Sequence, residues 1–467
     1  MKQPNILLLS DSYKLTHWKQ YPEDTQKVYS YFESRGGLFP EVTFFGLQHI
    51  IKTYLTGQVV TQEKIEEAAE FAKAHFGSDE HFNREGWEYI LRKHGGRLPL
   101  SIKAVPEGTT VGTHNVLLTV ENTDVECYWL TNYVETLLVQ VWYPTTVATL
   151  SRNMKKLIFS YLEKTGDTSL VDFKLHDFGF RGVSSVESAG IGGAAHLVNF
   201  KGSDTIQGIM LAKDSYGCPM AGFSIPAAEH STITSWGKDR EVWAYKNMLD
   251  QYPTGLVAVV SDSYDIYNAC ENLWGGQLKE QVLNRDGVLI IRPDSGNPAE
   301  VVVKVAKILA KQFGATKNVK GYLVLDPHVR IIQGDGIDFT STGEILQAVM
   351  DAGFSTDNIG FGMGGGLLQK LDRDTQKFAF KCSSVTVASK AYDVFKSPVT
   401  DPGKNSKKGI LRLVQKNGKF VTVGESDAEP QDDFLQEVFY NGDLTNEQTF
   451  DEIRERAAVT TKVPVNA

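Results

Sequence analysis

Asp262, Asp294 and Asp335 each close an apolar, largely β-branched run, and Arg292 stands two residues before the second of them. Carboxylates in such places can hold a divalent cation, accept hydrogen bonds from sugar hydroxyls or stabilise a developing positive centre. Arg181 and Arg292 lie among these acids, which disfavours an all-protein metal cage. A sugar phosphate satisfies both signs, its hydroxyls meeting the acids and its phosphates meeting Arg, Lys and Gly. Magnesium would then arrive with the phosphates and keep several of its waters. Taken alone, the segment Ile290 to Pro298 (IIRPDSGNP) reads equally as a capped strand-to-helix turn with a surface ion pair.

Other residues extend the set. Gly362-Met363-Gly364-Gly365-Gly366 matches neither the P-loop nor the dinucleotide fingerprint, yet Gly364 and Gly365 would let backbone N–H groups approach a phosphate. His230 follows Glu229 near an expected helix start. It reads either as a satisfied surface histidine or as a nucleophile whose imidazole is oriented by the neighbouring carboxylate. Arg373, Lys381, Lys396, Lys404, Lys407 and Lys408 form a second group of cations, of which Lys407 and Lys408 read as a solvated loop. Lys381 lies inside the apolar run Phe378 to Cys382, where a lysine snorkels or meets an anion. Phe178 is a candidate for stacking on a flat ligand, whereas Tyr13 reads on its residues alone as structural.

The elements that must position these groups recur. Apolar runs at 171–175, 256–260, 288–291, 329–332 and 358–361 each break into acid, Arg or Gly and are followed by a stretch that can be helical. Alternation of β and α implies a parallel sheet, and polar groups at successive strand ends imply one shared mouth. The expected fold is α/β, an irregular TIM-like (β/α) barrel with a discontinuous, mainly β second domain; an open doubly wound sheet is the alternative. The expected division is 1–170 as an N-terminal scaffold with dimer contacts, 171–366 as the barrel, and 367–467 as a segment returning to the second domain. Within the scaffold, Ile6 to Leu9 reads as a short β run, 61–76 as a helix, and 128–161 as one or two long helices. Phe378 to Val387 and Ile410 to Val423 read as strands.

The chain has 467 residues, 41% hydrophobic and 10% aromatic, with net charge −9. That balance leaves no global footprint for nucleic acid, so an anionic ligand must be held by local cations. No apolar run approaches the roughly 20 residues that span a bilayer. Cys127, Cys218, Cys270 and Cys382 are scattered without a Cys-x-x-Cys pair, which argues against a disulfide framework or a zinc site and fits a reducing cytoplasm.

Together, the strings DSYKLTHWKQYP, KLHDFGFRGVSS, HLVNFKGSDT, PAAEHSTITSWGKD, LIIRPDSGNP, QGDGID and GGGLLQKL, in this order across nearly the whole chain, resemble the nicotinamide phosphoribosyltransferases. The resemblance implies that Phe178 and a Tyr13 from the partner subunit of a homodimer sandwich the nicotinamide ring. It also implies that Asp204 accepts from the carboxamide NH₂ while Arg292 approaches its oxygen. Asp262, Asp294, Gly334 and Asp335 then lie near the ribose and its magnesium. Arg35, Arg181, Gly364, Gly365, Arg373, Lys381, Lys396 and Lys404 take phosphates of phosphoribosyl pyrophosphate, pyrophosphate or ATP. His230, with Glu229 beside it, is the histidine that ATP phosphorylates. Two positions depart from the pattern: Ala258 stands where a serine is common, and Met363 replaces a small polar residue. A nicotinate-using relative and a sugar-phosphate sensor without turnover are the competing readings.

Overall fold

The computed structural model describes residues 4–400 and 405–459. The chain forms two compact units, one built from residues up to 149 with 214–218 and 372–457, the other from 150–213 and 219–371.

The first unit is organised by a seven-stranded sheet in the order Lys390–Asp393, Phe378–Val387, Thr25–Ser34, Val116–Asn122, Leu100–Ala104, Gln436–Tyr440, Asp443–Leu444. Strands from both ends of the sequence therefore share one sheet. Thr25–Ser34 is buried along most of its length, and Phe32 stacks on Phe378 at 5.0 Å across the antiparallel pair. The helix Gln62–Phe76 starts where the Thr61 hydroxyl caps it and stops at Gly77, whose φ of 74° favours a residue without a Cβ. It buries Ile65, Ala68, Ala69 and Ala72, the helical spacing expected.

One local expectation is corrected here and two are met in part. Ile6–Leu8 is a 3-10 helix rather than a strand, because the Asn5 side chain accepts the Leu7 N–H and curls the chain. The 128–161 stretch breaks into Leu130–Tyr133, Glu135–Leu138 and Val139–Val141 before the long helix Trp142–Thr165, whose Pro144 sits in the tolerated first turn. Leu411–Lys416 and Lys419–Gly424 form a separate two-stranded hairpin, turned by Asn417 and Gly418 at φ of 52° and 74°.

The second unit is mixed α/β around a curled parallel sheet of six strands, in the order Gly202–Ser203, Leu175–Asp177, Ile359–Met363, Val329–Gln333, Asp286–Arg292, Thr254–Val260. Four of the five runs singled out in the sequence form strands, whereas the 171–175 run is corrected: Val171–Phe173 is a 3-10 helix and the strand there is Leu175–Asp177. The sixth, Gly202–Ser203, is two residues long and has no periodicity to read. In place of two further β/α repeats, an extended segment makes isolated parallel bridges to both edges, Phe223 to Gly202 and Ala227 to Ala258. Helices cover the sheet with conventional starts: Asn297 caps Pro298–Phe313, and Asp338 with Ser341 forms a capping box on Phe339–Asp351. Among the described residues no helix is long and apolar enough to cross a membrane, and all four cysteines are free.

Candidate active site

Parallel pairing places Asp177, Ser203, Val260, Arg292, Gln333 and Met363 at the carboxyl ends of six neighbouring strands. A cavity of about 830 Å³ opens there, lined by Phe178, Arg181, Asp204, Arg292, Asp294, Gly334, Asp335, Gly364 and Gly365. Nine residues nominated from sequence are thus brought together. The lining also includes Thr205, Asp338, Gln369 and Lys370, which lie within the quoted strings but were given no role there. The first unit has its own cavity of about 380 Å³, but two lining cations are already paired, Lys27 with Glu121 at 3.1 Å and Arg412 with Glu425 at 3.2 Å.

Asp262 is the hub of the acidic side. One carboxylate oxygen accepts from His230 Nε2 at 2.9 Å, and the other accepts the Asp294 N–H at 3.1 Å and the Ser295 hydroxyl at 2.5 Å. Because a carboxylate only accepts, the proton of the imidazole lies on Nε2, and the lone pair lies on Nδ1. The His230 side chain is 46% exposed while that of Asp262 is 4% exposed, so a buried acid holds an accessible ring. Glu229, expected to orient His230, does something else: it caps the His230–Thr234 helix and accepts from the Ser231 hydroxyl. Its backbone N–H is tied to Thr232, which leaves the side chain turned toward the helix start.

Arg292 and Asp294 lie 3.6 Å apart, too far for a hydrogen bond, and the buried Arg292 Nε has no partner. An unpaired buried guanidinium N–H costs free energy until an acceptor reaches it. Burial pushes the Asp294 carboxyl above the usual carboxylate range, with Asp262 and Asp335 adding to the shift and Arg292 and His230 opposing it.

Glycines shape the floor. A Cβ on Gly334 would meet Asp294 Oδ1 at 3.3 Å, the Phe178 ring at 3.4 Å and Arg292 Cδ at 3.7 Å, so these three converge on one point. A Cβ on Gly362 would stand 1.9 Å from the Phe178 ring, which therefore lies directly against that strand. Met363, expected in the glycine turn, is instead the buried last residue of the strand, and its carbonyl accepts the Phe178 N–H at 3.0 Å. Asp204 is exposed on the cavity that Phe178 also lines and accepts from the Ser224 hydroxyl, a contact that no spacing in the sequence announces. Ala258 is 5% exposed in the edge strand that pairs with Ala227.

The remaining nominated residues belong to the first unit. Tyr13 lies on the 3-10 helix Ser12–Lys19 and is 59% exposed, with His17 edge-on at 4.8 Å. Lys381 is depressed from the usual lysine range by burial first, with Arg35, Arg373 and Lys396 adding like-charge repulsion. Glu135 opposes that shift, and Arg35 Nη2 is buried without a hydrogen-bond partner. Lys404 lies outside the described residues. Lys407 corrects the solvated-loop reading: its Nζ is 2.5 Å from Glu33, a side chain 2% exposed that also accepts from Arg35 Nε at 2.9 Å. Lys408 remains largely exposed.

A parallel sheet whose strand ends gather acids, arginines and glycines around one cavity suits an enzyme that acts on a sugar phosphate. The chain belongs to the nicotinate phosphoribosyltransferase (NAPRTase) family, whose profile matches residues 173–443, and it is a pentosyltransferase. Residues 5–102 match the profile described as nicotinamide phosphoribosyltransferase, N-terminal domain. The chain is 50% identical over 463 residues to a nicotinamide phosphoribosyltransferase of Xanthomonas campestris pv. campestris, covering 97% of this chain and 98% of that one. It is 33% identical to a nicotinamide phosphoribosyltransferase of Acinetobacter baylyi, covering 97% of each. Among solved structures, a nicotinate-nucleotide pyrophosphorylase from Pyrococcus furiosus shares the fold with TM-score 0.60 at 17% identity, covering 98% of this chain and 96% of the other. A human nicotinic acid phosphoribosyltransferase does so with TM-score 0.56 at 16% identity, covering 96% and 93%.

Proposed function

We propose that this enzyme transfers the 5-phosphoribosyl group from phosphoribosyl pyrophosphate to the ring nitrogen of nicotinamide, forming nicotinamide mononucleotide and pyrophosphate in NAD salvage. The observation that carries the choice of base is Asp204, a carboxylate lining the same cavity as Phe178 and the unpartnered Arg292 Nε. A carboxamide answers both groups, its NH₂ donating to Asp204 and its oxygen accepting from Arg292. Nicotinate would set one carboxylate against another without a donor between them.

The base stacks on Phe178, and Tyr13 of a second copy closes the other face, a role its exposure supports. Breaking the bond from ribose C1 to pyrophosphate develops an oxocarbenium-like centre, and Asp294, close to Arg292 and Gly334, stabilises it. Asp294 and Asp335 are the carboxylates that would hold magnesium bound mainly through substrate phosphates, where it neutralises the leaving pyrophosphate; two acids beside an arginine suit such a partial site. Arg181, Gly364 and Gly365 take phosphate at the mouth, and Arg35, Arg373, Lys381 and Lys396 supply further positive charge.

ATP hydrolysis is coupled through a phosphohistidine at His230. The tautomer set by Asp262 leaves Nδ1 with its lone pair, the form required of a nucleophile. Mononucleotide formation from nicotinamide or nicotinate, each with and without ATP, tests the whole reading. Nicotinamide is expected to be used in strong preference, with ATP stimulation absent in His230→Ala. Equal use of both bases by the unmodified enzyme would overturn the base assignment, and undiminished stimulation in that variant would overturn the coupling.

A further inference from the structure

Asp177 is fully buried at the end of the Leu175–Asp177 strand, and nothing above uses its side chain. It nevertheless touches both halves of the wall that faces the base. Its Oδ1 accepts the Gly179 N–H at 2.7 Å, which closes the turn carrying Phe178. Its main-chain oxygen accepts the Asp204 N–H at 3.0 Å. Phe178 is therefore tied on one side through Asp177 and on the other through its own N–H to Met363.

The carboxyl is tightly enclosed. A Cβ on Gly193 would come within 3.4 Å of Asp177 Oδ2 and 2.9 Å of Thr205 Cγ2, so the Val186–Leu197 helix closes over both side chains. The Thr205 hydroxyl lies beside this carboxyl and favours its charged form, and Asp177 Oδ2 and Thr205 Oγ1 are buried with no other partner. Leaving a buried carboxylate oxygen short of partners is costly, and an apolar residue of similar volume would avoid the cost. What an apolar residue lacks is the bond to Gly179.

We propose that Asp177 is a positioning residue of the base subsite, setting the separation between the Phe178 ring and the Asp204 carboxylate through one side-chain and one main-chain hydrogen bond. The inference rests on the assignment of these two groups to the base. It predicts a defect that falls mainly on the base, since of the phosphate-facing groups only Arg181 rides on the 180–182 turn that Gly179 opens, whereas Gly364 and Gly365 follow the Ile359–Met363 strand.

The test compares Asp177→Ala and Asp177→Asn in the full-length enzyme by steady-state kinetics and thermal unfolding. The amide oxygen of Asn keeps the acceptor, so its KM for nicotinamide is expected within about threefold of the unmodified value. Removal of a buried charged acceptor in the Ala variant is expected to raise that KM about tenfold or more, with the KM for phosphoribosyl pyrophosphate changed less than about twofold. If the Ala variant does not fold, Asp177→Ser, whose hydroxyl is a bond too short for Gly179, is read the same way. Equal rises in both KM values, or none in a folded variant, would overturn the proposal. Asp204→Asn is run alongside: if it leaves the amide-to-acid preference unchanged, the base assignment itself has failed, whereas a changed preference there with a silent Asp177→Ala isolates the failure to Asp177.

Discussion

At the mouth of the parallel sheet, negative charge sits on short side chains anchored by main chain. Asp262 accepts from the Asp294 N–H, Asp177 from the Gly179 N–H, and glycines at 334 and 362 let the Phe178 ring approach. In the other unit, Arg35, Arg373, Lys381 and Lys396 carry charge on long side chains, and among the described ion pairs only Arg35 is fixed, to Glu33. The first construction resolves ångströms and sign together, which suits a reacting centre. The second supplies positive potential without fixed direction, which suits binding phosphate.

The sharpest break of this contrast is Asp262→Ala, which removes the partner of His230 and two bonds to the 294–295 turn at once. Loss of a preorganised charged group of this kind costs roughly 10² to 10³ in kcat/KM. A loss under about tenfold would mean that the acids are not positioned as one unit. Asp177 offers a second probe through pH. Burial raises its carboxyl from 3.8 to about 6, and the nearby Asp204 adds to the shift. The folded state therefore holds a proton that the unfolded chain has released, and stability falls as pH rises from about 4 to about 6. Asp177→Asn removes that dependence, so the variant is expected to gain on the order of 1–3 kcal/mol near pH 7.5 and nothing near pH 4 by thermal unfolding.

Gly362→Ala tests how closely the mouth is built. Its Cβ would stand 1.9 Å from the Phe178 ring, so the ring must move, at about 1–3 kcal/mol of overpacking. The KM for nicotinamide is expected to rise about tenfold while that for phosphoribosyl pyrophosphate stays; an unchanged KM for the base would remove Phe178 from its subsite. The cations of the other unit are expected to respond differently. Arg373→Ala and Lys396→Ala should each raise the KM for phosphoribosyl pyrophosphate by roughly threefold to tenfold at low salt, and the difference should shrink at high salt. Salt-independent effects would show that these long side chains are as fixed as the acids.

What was legible in the sequence follows the same division. While Leu175–Asp177 is three residues long and the apolar residues before it form a 3-10 helix, four strands of the mouth announce themselves because buried parallel strands are continuous apolar runs that end abruptly in Asp, Arg or Gly. Gly202–Ser203 and the 223–228 bridge do not, since two residues carry no period and an isolated bridge carries no pattern. Glu229 misled because adjacency in sequence suggested a partner for His230, whereas a helix start turns its N-cap side chain back on the helix and a residue from the neighbouring strand end reaches the ring. Lys407 misled in the opposite sense: a basic loop looks solvated until a buried Glu33 from a distant strand is seen beneath it.

Ser224 is the smallest effect and the most exacting test of the contrast. Its hydroxyl donates to one Asp204 oxygen, leaving the other oxygen for the carboxamide NH₂. A hydrogen bond to a carboxylate contributes about 1.5–3 kcal/mol when buried, but Asp204 is exposed and water can take the hydroxyl's place. Ser224→Ala should therefore reduce the preference for nicotinamide over nicotinate only about threefold, with kcat on nicotinamide nearly unchanged. Ala258 sharpens the point, because the serine common there in the resembling enzymes is missing and Ser224 is the hydroxyl seen on Asp204 among the described contacts. A change beyond about tenfold would mean that the hydroxyl contacts the base itself. No change at all would mean that Asp204 is held by its backbone alone, through the bond to Asp177, and that the main-chain anchoring of the mouth extends to its most exposed acid.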